Sequence, residues 1–192
     1  EMVAGLAIDE LKAMRSVGND RPVAVDLGTG SGAIGLSIAV EVERAEVWLT
    51  DASADALVVA RSNLTGIGRA ATRVQVAEGF WFEALPRELL GAIDVVVSNP
   101  PYVAFDDDIE DIVREWEPLS ALFAGNDGLD DIRMILQDAT AWLRPGGVLI
   151  LEMDPGQLDT ASELARSFGF VGIETHADLA GRDRALVVRR AS

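Results

Sequence analysis

The sequence predicts an open α/β fold with a seven-stranded, mostly parallel sheet whose last strand is antiparallel. Short β-branched runs alternate with longer helical stretches, which is typical of right-handed βαβ units with helices on both faces of a sheet. The chain then closes on a helix, a strand, a short connection and a strand, which predicts a terminal hairpin. In such sheets a ligand binds at the carboxyl ends of the strands, near the reversal of strand order.

The individual elements follow from composition and from the spacing of apolar residues. A first helix is expected over residues 2–14, and Pro-Gly-Gly at 145–147 predicts a turn before the fifth strand. The expected strands are residues 23–27, 46–50, 72–77, 93–97, 148–153, 171–176 and 185–189. The other expected helices are residues 33–42, 54–64, 106–116, 128–143 and 158–168.

Composition and charge restrict the classes of function. The chain has 192 residues, of which 49% are hydrophobic and 25% charged, as expected for one globular domain spanning residues 1–192. Sixteen basic and 32 acidic residues give a net charge of −16, which repels phosphate backbones and argues against direct nucleic-acid binding. Solubility alone would also account for this charge.

Several ordinary sites and locations are excluded or disfavoured by residue content. The absence of cysteine excludes disulfides, thiolate metal sites and a cysteine nucleophile, and His176 alone cannot form a metal cluster, so we expect no metal. The sequence has neither a membrane-length apolar stretch nor a secretory signal at its start, so a cytoplasmic protein with no membrane partner is expected. We also expect a monomer. The chain begins inside a helical pattern, which suggests that an N-terminal part is missing.

A glycine-rich turn joins the first expected strand to the next helix. Its sequence is Asp-Leu-Gly-Thr-Gly-Ser-Gly, residues 26–32. Glycines permit positive φ and let a ligand touch the backbone, and the helix N-terminus offers free N–H groups to a carboxylate or phosphate. Gly28, Gly30 and Ala33 also satisfy the dinucleotide fingerprint, so an NAD-dependent oxidoreductase is one alternative.

Two details of this turn favour S-adenosylmethionine over a dinucleotide. The carboxylate of Asp26 would face the cofactor's sulfonium and ammonium groups, whereas it would repel a pyrophosphate. Gly32 completes the G-x-G-x-G pattern common to methyltransferases. Asp51, at the end of the second strand, can bind ribose hydroxyls with either cofactor.

The second motif is Asn99-Pro100-Pro101-Tyr102, which follows an apolar strand. The prolines end strand pairing and stiffen the segment, but a rigid strand exit does not explain a polar asparagine beside an aromatic residue. A planar NH2 group is a poor nucleophile because its lone pair is delocalised. The side-chain oxygen of Asn99 and the carbonyl of Pro100 can accept both of its N–H groups, and Tyr102 can stack on it. The motif therefore predicts methylation of a planar NH2 by orientation and electrostatic stabilisation.

Together the two motifs resemble the class I methyltransferases of exocyclic nitrogens, which act on adenine N6, cytosine N4 or protein glutamine N5. Residues further along the chain resemble the HemK/PrmC family, which methylates the glutamine in the Gly-Gly-Gln loop of peptide chain release factors. These residues are Trp116-Glu117-Pro118-Leu119, Asp127-Gly128-Leu129, Leu151-Glu152 with Gln157, and residues 178–184. The resemblance covers almost the whole chain.

The resemblance implies a fold, a reaction and a partner. The fold is the Rossmann-like fold of class I S-adenosylmethionine-dependent methyltransferases. The reaction moves a methyl group from S-adenosylmethionine to the side-chain amide nitrogen of a release-factor glutamine, leaving S-adenosylhomocysteine. The small N-terminal helical domain with which the family holds the release factor is expected to be absent from residues 1–192.

The resemblance also implies roles for the residues of the two motifs. The loop of Gly28, Thr29, Gly30, Ser31 and Gly32, preceded by Asp26, would wrap the methionine part of the cofactor. Asp51 would hold the ribose and Trp81 would lie by the adenine. Asn99, Pro100, Pro101 and Tyr102 would bind the glutamine; Asn99, Pro100 and Tyr102 would be catalytic, with Asn99 also beside the cofactor. Glu117 would buttress that loop.

Two positions depart from the family pattern. Phe80 stands where the family has an acidic residue directly before the tryptophan, so either Glu78, close by in the sequence, replaces that residue or the contact with adenine is weaker. Asp154 stands where the family has a glycine after the fifth strand. Trp81, between two phenylalanines, also fits an ordinary core position.

Three other functions remain as alternatives. An adenine or cytosine methyltransferase would need a basic surface and room for a target-recognition domain, since base flipping requires duplex contacts. A non-catalytic cofactor-binding interaction module is compatible with the change at Phe80. An NAD-dependent oxidoreductase would need a substrate domain and a proton-relay pair, neither of which is evident.

Overall fold

The computed structural model describes residues 2–16, 18–102 and 127–192, which form one seven-stranded sheet covered by helices. The strands are β1 (Val23–Leu27), β2 (Glu46–Asp51), β3 (Val74–Glu78), β4 (Ile93–Ser98), β5 (Leu143–Glu152), β6 (Phe170–Ala177) and β7 (Asp183–Arg190). The helices in these ranges are α1 (Met2–Ser16), α2 (Ala33–Glu41), α3 (Ala54–Leu64), α4 (Asp130–Trp142) and α5 (Leu158–Ser167). The expected helix over residues 106–116 lies outside the described residues.

The strand order is β3-β2-β1-β4-β5-β7-β6. Neighbours from β3 to β5 pair in parallel, and β7 is antiparallel to both β5 and β6. The seven-stranded sheet with an antiparallel last strand is therefore confirmed. The order reverses between β1 and β4, and this reversal leaves a crevice at their carboxyl ends.

The core consists of two apolar layers, one on each face of the sheet. Helices α1 and α2 cover one face, and α4 and α5 cover the other. All six residues of β4 are buried, as expected for a central parallel strand covered on both sides. The predicted helical periodicity in α4 is confirmed by its buried residues Ile132, Ile135, Leu136 and Ala139.

Two local expectations were wrong. The Pro-Gly-Gly turn at 145–147 is instead a bulge inside β5, because pairing with β4 shifts from Ile93–Leu143 to Val95–Val148 without the chain leaving the sheet. The third strand begins at Val74 rather than at residue 72. The residues before it form a 3₁₀ segment, Thr65–Arg73, in which the Arg73 guanidinium donates to three backbone carbonyls at the end of α2.

A salt bridge between α1 and β7 fixes the helix to the sheet. The guanidinium of Arg189 in β7 donates through both terminal nitrogens to the carboxylate of Glu10. Side chains of α1 such as Val3, Ala7 and Leu11 are fully buried against the sheet. None of the helices in the described ranges is both long and apolar enough to cross a membrane.

Candidate active site

The motif residues meet where β1, β2 and β4 end. Leu27, the last residue of β1, pairs with Thr50 of β2 on one side and with Ser98 of β4 on the other. The glycine loop, Asp51 and the segment from Asn99 to Tyr102 therefore leave the sheet side by side. The structure thus brings together motifs that lie more than 60 residues apart in the sequence.

The glycine loop folds over the end of β2 and is held there by Asp51. Gly28, Gly30 and Gly32 have φ of 64°, 55° and 85°, which side chains rarely adopt. The amide of Gly30 donates to Asp51 Oδ2 at 2.9 Å, and Asp51 Oδ1 accepts from the amide of Ser53 at 2.8 Å. A β carbon on Gly30 would meet no atom within 4 Å, so the loop borders open space at this point.

Asp26 is fully buried beneath the loop, and only one of its oxygens is paired. Oδ2 accepts from Thr29 Oγ1 at 2.5 Å and from the amide of Gly35 at 2.9 Å. Within the described residues, buried Oδ1 has no hydrogen-bond partner. Burial raises the pKa of Asp26 to about 6, against the opposing effect of the two hydrogen bonds. A buried acceptor without a partner is a place for a polar or cationic group.

Trp81 lies between the glycine loop and α4. Its φ of 44° is unusual for a bulky residue and begins the short turn Trp81–Ala84. Its indole Nε1 donates to Asp131 Oδ1 at 3.2 Å, and a β carbon on Gly28 would lie 3.1 Å from its ring. Burial raises the pKa of the Asp131 carboxyl, and the bond from Trp81 opposes that rise. Trp81 thus packs on the apolar core and also borders the loop.

Phe80 and Glu78, the two residues near the expected adenine site, both lie at the surface. Phe80 is 45% exposed, and its ring centroid lies 5.4 Å from that of Trp81. Glu78 is exposed at the end of β3 and pairs in register with Asp51 on β2. An acidic side chain therefore stands beside Asp51 although Phe80 carries none.

The segment from Asn99 to Tyr102 starts from a fixed point. The hydroxyl of buried Ser98 donates to the carbonyl of Leu27 at 2.7 Å, which links β4 to the start of the glycine loop. Asn99 is exposed, Pro100 is buried, and Pro101 and Tyr102 are half-buried. No hydrogen bond joins the Asn99 side-chain amide to another of the described residues, and the side chain is exposed.

Sequence reasoning assigned no role to two residues that contact this segment. Gln157 donates to the carbonyl of Tyr102, and Gly128 packs against the same carbonyl. In the sequence, both residues are recognisable only as matches to a family pattern. Glu117, expected to buttress the loop, lies outside the described residues. Among the described residues, no group of three or more His, Cys, Asp and Glu side chains is arranged to hold a metal ion.

Comparison with known sequences finds relatives that are named methyltransferases. The release factor glutamine methyltransferase of Gloeobacter violaceus is 45% identical over 166 residues, covering 85% of this chain and 57% of that protein. The release factor glutamine methyltransferase of Streptomyces coelicolor is 40% identical over 196 residues, covering 100% of this chain and 66% of that protein. The chain thus spans about three fifths of the length of these relatives.

Comparison with solved structures concerns the fold. A ribosomal protein L11 methylase from Lactobacillus delbrueckii has a TM-score of 0.67 at 17% identity, covering 99% of this chain and 78% of that one. A methyltransferase from Pyrococcus furiosus has a TM-score of 0.64 at 20% identity, covering 88% and 75%. The fold is that of class I methyltransferases. The family model of the methyltransferase small domain matches residues 9–116, more than half of the sequence, and the chain therefore belongs to that family.

Proposed function

We propose that this chain transfers a methyl group from S-adenosylmethionine to the side-chain amide nitrogen of a glutamine in a peptide chain release factor. The observation that carries the proposal is the exposed Asn99 followed by the rigid prolines, directly beside the glycine loop. Relatives at 45% and 40% identity that are named release factor glutamine methyltransferases support the choice of substrate.

The residues at the ends of β1 and β2 fit S-adenosylmethionine. This cofactor supplies an electrophilic methyl group on a sulfonium. Asp26 Oδ1, a buried acceptor with no partner among the described residues, suits its ammonium group. Asp51 keeps free lone pairs for the ribose hydroxyls, and the space next to Gly30 has room for the methionine part. Trp81 and Glu78 flank the place we assign to the adenine.

The segment after β4 supplies what an amide nucleophile needs. Asn99 Oδ1 and the carbonyl of Pro100 accept the two N–H groups of the glutamine side chain, which holds the nitrogen lone pair toward the methyl group. Tyr102 stacks on the planar amide. The methylated nitrogen is strongly acidic, so its proton leaves to solvent after transfer and no protein base is required. Catalysis rests on orientation and electrostatic stabilisation.

One group of three arginines lies away from the proposed site. Arg21, Arg44 and Arg73 line a shared cavity of about 340 Å³. They precede β1, β2 and β3, so they lie at the amino edge of the sheet, opposite the carboxyl ends that carry Asn99. Phosphates bound there would not bring a base to the site. With a net charge of −16, a protein substrate is the better match.

A transfer assay with alternative acceptors tests the proposal. The chain is incubated with methyl-labelled S-adenosylmethionine and, in separate reactions, a release factor, the same factor with alanine in place of the glutamine of its Gly-Gly-Gln loop, and adenine-rich DNA. We expect label only in the unmodified release factor. Label in the glutamine-free factor or in the DNA would overturn the assignment of the substrate.

A further inference from the structure

Gln157 joins two stretches of the chain that are distant in sequence. Its Nε2 donates to the carbonyl of Tyr102 at 2.8 Å and to the carbonyl of Asp127 at 3.2 Å, and its Oε1 accepts from the amide of Asp154 at 3.2 Å. Both N–H groups and the oxygen of the Gln157 side-chain amide therefore have hydrogen-bond partners. A flipped amide would set oxygen against two carbonyls, so the contacts define its orientation.

The partners of Gln157 are themselves fixed. Its own backbone lies in a capping box with Asp154, which accepts from the amide of Gly156 at 2.8 Å. Asp127 accepts from the amide of Leu129 at 3.1 Å and from two nitrogens of Arg133, and these bonds lower the pKa of its carboxyl. Gln157 therefore links residues that make further hydrogen bonds of their own.

Gly128 leaves just enough room for the Tyr102 carbonyl. Its φ is 69°, and a β carbon there would lie 2.3 Å from Tyr102 O and 2.5 Å from Gln157 Nε2. A real β carbon cannot approach so closely. Any side chain at this position would push the carbonyl of Tyr102 away from Gln157.

The segment from Asn99 to Tyr102, which we call the substrate segment, is therefore held by hydrogen bonds at both ends. At its start Ser98 is bonded to Leu27, and at its end Tyr102 is bonded to Gln157. Between them the two prolines have nearly fixed φ, which limits how far the carbonyls of Pro100 and Tyr102 can move independently. A displacement of one end would move the acceptor that we assign to the substrate amide.

We propose that Gln157 and Gly128 are positioning residues for methyl transfer, which set the carbonyl of Pro100 and the ring of Tyr102 by holding the carbonyl of Tyr102. The inference rests on the proposed function of Asn99 to Tyr102. In the described structure neither the hydrogen bonds of the Gln157 side chain nor the nearest neighbours of Gly128 include the glycine loop or Asp51, so we expect cofactor binding to be unchanged when either residue is replaced.

Separate measurement of turnover and cofactor binding tests this role. In Gln157→Glu, a carboxylate oxygen faces two carbonyls; in Gln157→Leu, both donors are lost. We expect kcat on the release factor to fall about 100-fold, the cost of a displacement near 1 Å, with an unchanged Kd for S-adenosylmethionine. Gly128→Ala should give the same pattern. Gln137→Glu, the same charge change on the exposed face of α4, is the matched control and should retain full activity.

Two results in this assay would overturn the inference. One is wild-type kcat in both Gln157 variants. The other is a parallel loss of cofactor affinity and of thermal stability, which would assign Gln157 to the fold as a whole rather than to the substrate segment.

A second measurement reads the contact without any catalysis. Tyr102 is the only tyrosine in the chain, so tyrosine labelled with 13C at its carbonyl carbon gives one NMR signal from this hydrogen bond. We expect the signal to move upfield in Gln157→Leu and to stay in place in Gln137→Glu. If the wild type is active and the carbonyl signal of Tyr102 does not move in Gln157→Leu, the positioning role of Gln157 is refuted and the proposed function is not. An inactive wild type with a moved signal would refute the proposed function, and with it the catalytic role, while leaving the contact established.

Discussion

The buried carboxyl of Asp26 predicts an unusual dependence of stability on pH. Its pKa is raised from 3.8 to about 6 in the fold, chiefly by burial. The folded chain therefore holds this proton more tightly than the unfolded chain does. Below pH 3.8 both states are protonated and the group costs nothing, whereas above about pH 6 the folded state carries a buried charge. The full penalty is about 3 kcal/mol, because each pKa unit corresponds to about 1.4 kcal/mol.

Only part of this loss of stability falls within the pH range in which the protein can be measured. The sequence pI of about 4.3 favours precipitation near pH 4, so measurements begin at pH 5. Between pH 5 and pH 8 the Asp26 contribution amounts to about 1 kcal/mol of lost stability. Burial also raises the pKa of the Asp131 carboxyl, which acts in the same sense as Asp26, whereas the lowered pKa values of Asp127 and Asp178 take effect below this pH range. Only the difference from a matched variant isolates Asp26.

Asp26→Asn is that variant, because its side-chain oxygen can still accept from Thr29 and Gly35. Urea unfolding of both proteins from pH 5 to pH 8 gives the difference in free energy of unfolding. We expect the free energy of unfolding of the variant, relative to that of the wild type, to rise by about 1 kcal/mol across this range and to level off above pH 7. We also expect weaker binding of S-adenosylmethionine by calorimetry at pH 8. A difference that is constant with pH, or that shrinks as pH rises, would refute the account of Asp26.

Three further substitutions test other parts of the structure. Asn99→Ala should abolish transfer while leaving the thermal unfolding temperature unchanged, since Asn99 is exposed; near-wild-type turnover would contradict its role. Trp81→Phe removes the donor to Asp131 and should weaken cofactor binding in a calorimetric titration, whereas Trp48→Phe, on β2, should not. Arg73→Met leaves three carbonyls at the end of α2 without their donor and should cost about 1–3 kcal/mol in urea unfolding, with unchanged Kd for S-adenosylmethionine. An unchanged urea midpoint would contradict this role of Arg73.

The features that could be predicted from the sequence are those that depend on contiguous residues. The glycine loop and the Asn-Pro-Pro-Tyr segment each carry their chemistry within seven residues or fewer, and the βαβ pattern predicts that both lie at the same edge of the sheet. The antiparallel last strand followed from the short connection between the final two strands. These expectations needed only local composition and general rules of topology.

The features that were missed depend on distant contacts. The bond from Gln157 to Tyr102 spans 55 residues and that from Trp81 to Asp131 spans 50, and no local pattern predicts either partner. The Pro-Gly-Gly sequence has the propensity of a turn, but pairing with β4 on both sides of it keeps it within β5 as a bulge. The buried state of Asp26 likewise results from the packing of α2 on β2, where Gly35 allows no β carbon beside Leu49.

The most direct test of the central claim is the identification of the methylated atom. A release factor is treated with the wild-type chain and S-adenosylmethionine, digested, and mapped by tandem mass spectrometry, with Asn99→Ala as the matched control. We predict one added methyl group on the side-chain nitrogen of the glutamine in the Gly-Gly-Gln loop, present with the wild type and absent with the variant. A methyl group on any other residue, or equal modification by Asn99→Ala, would contradict the account.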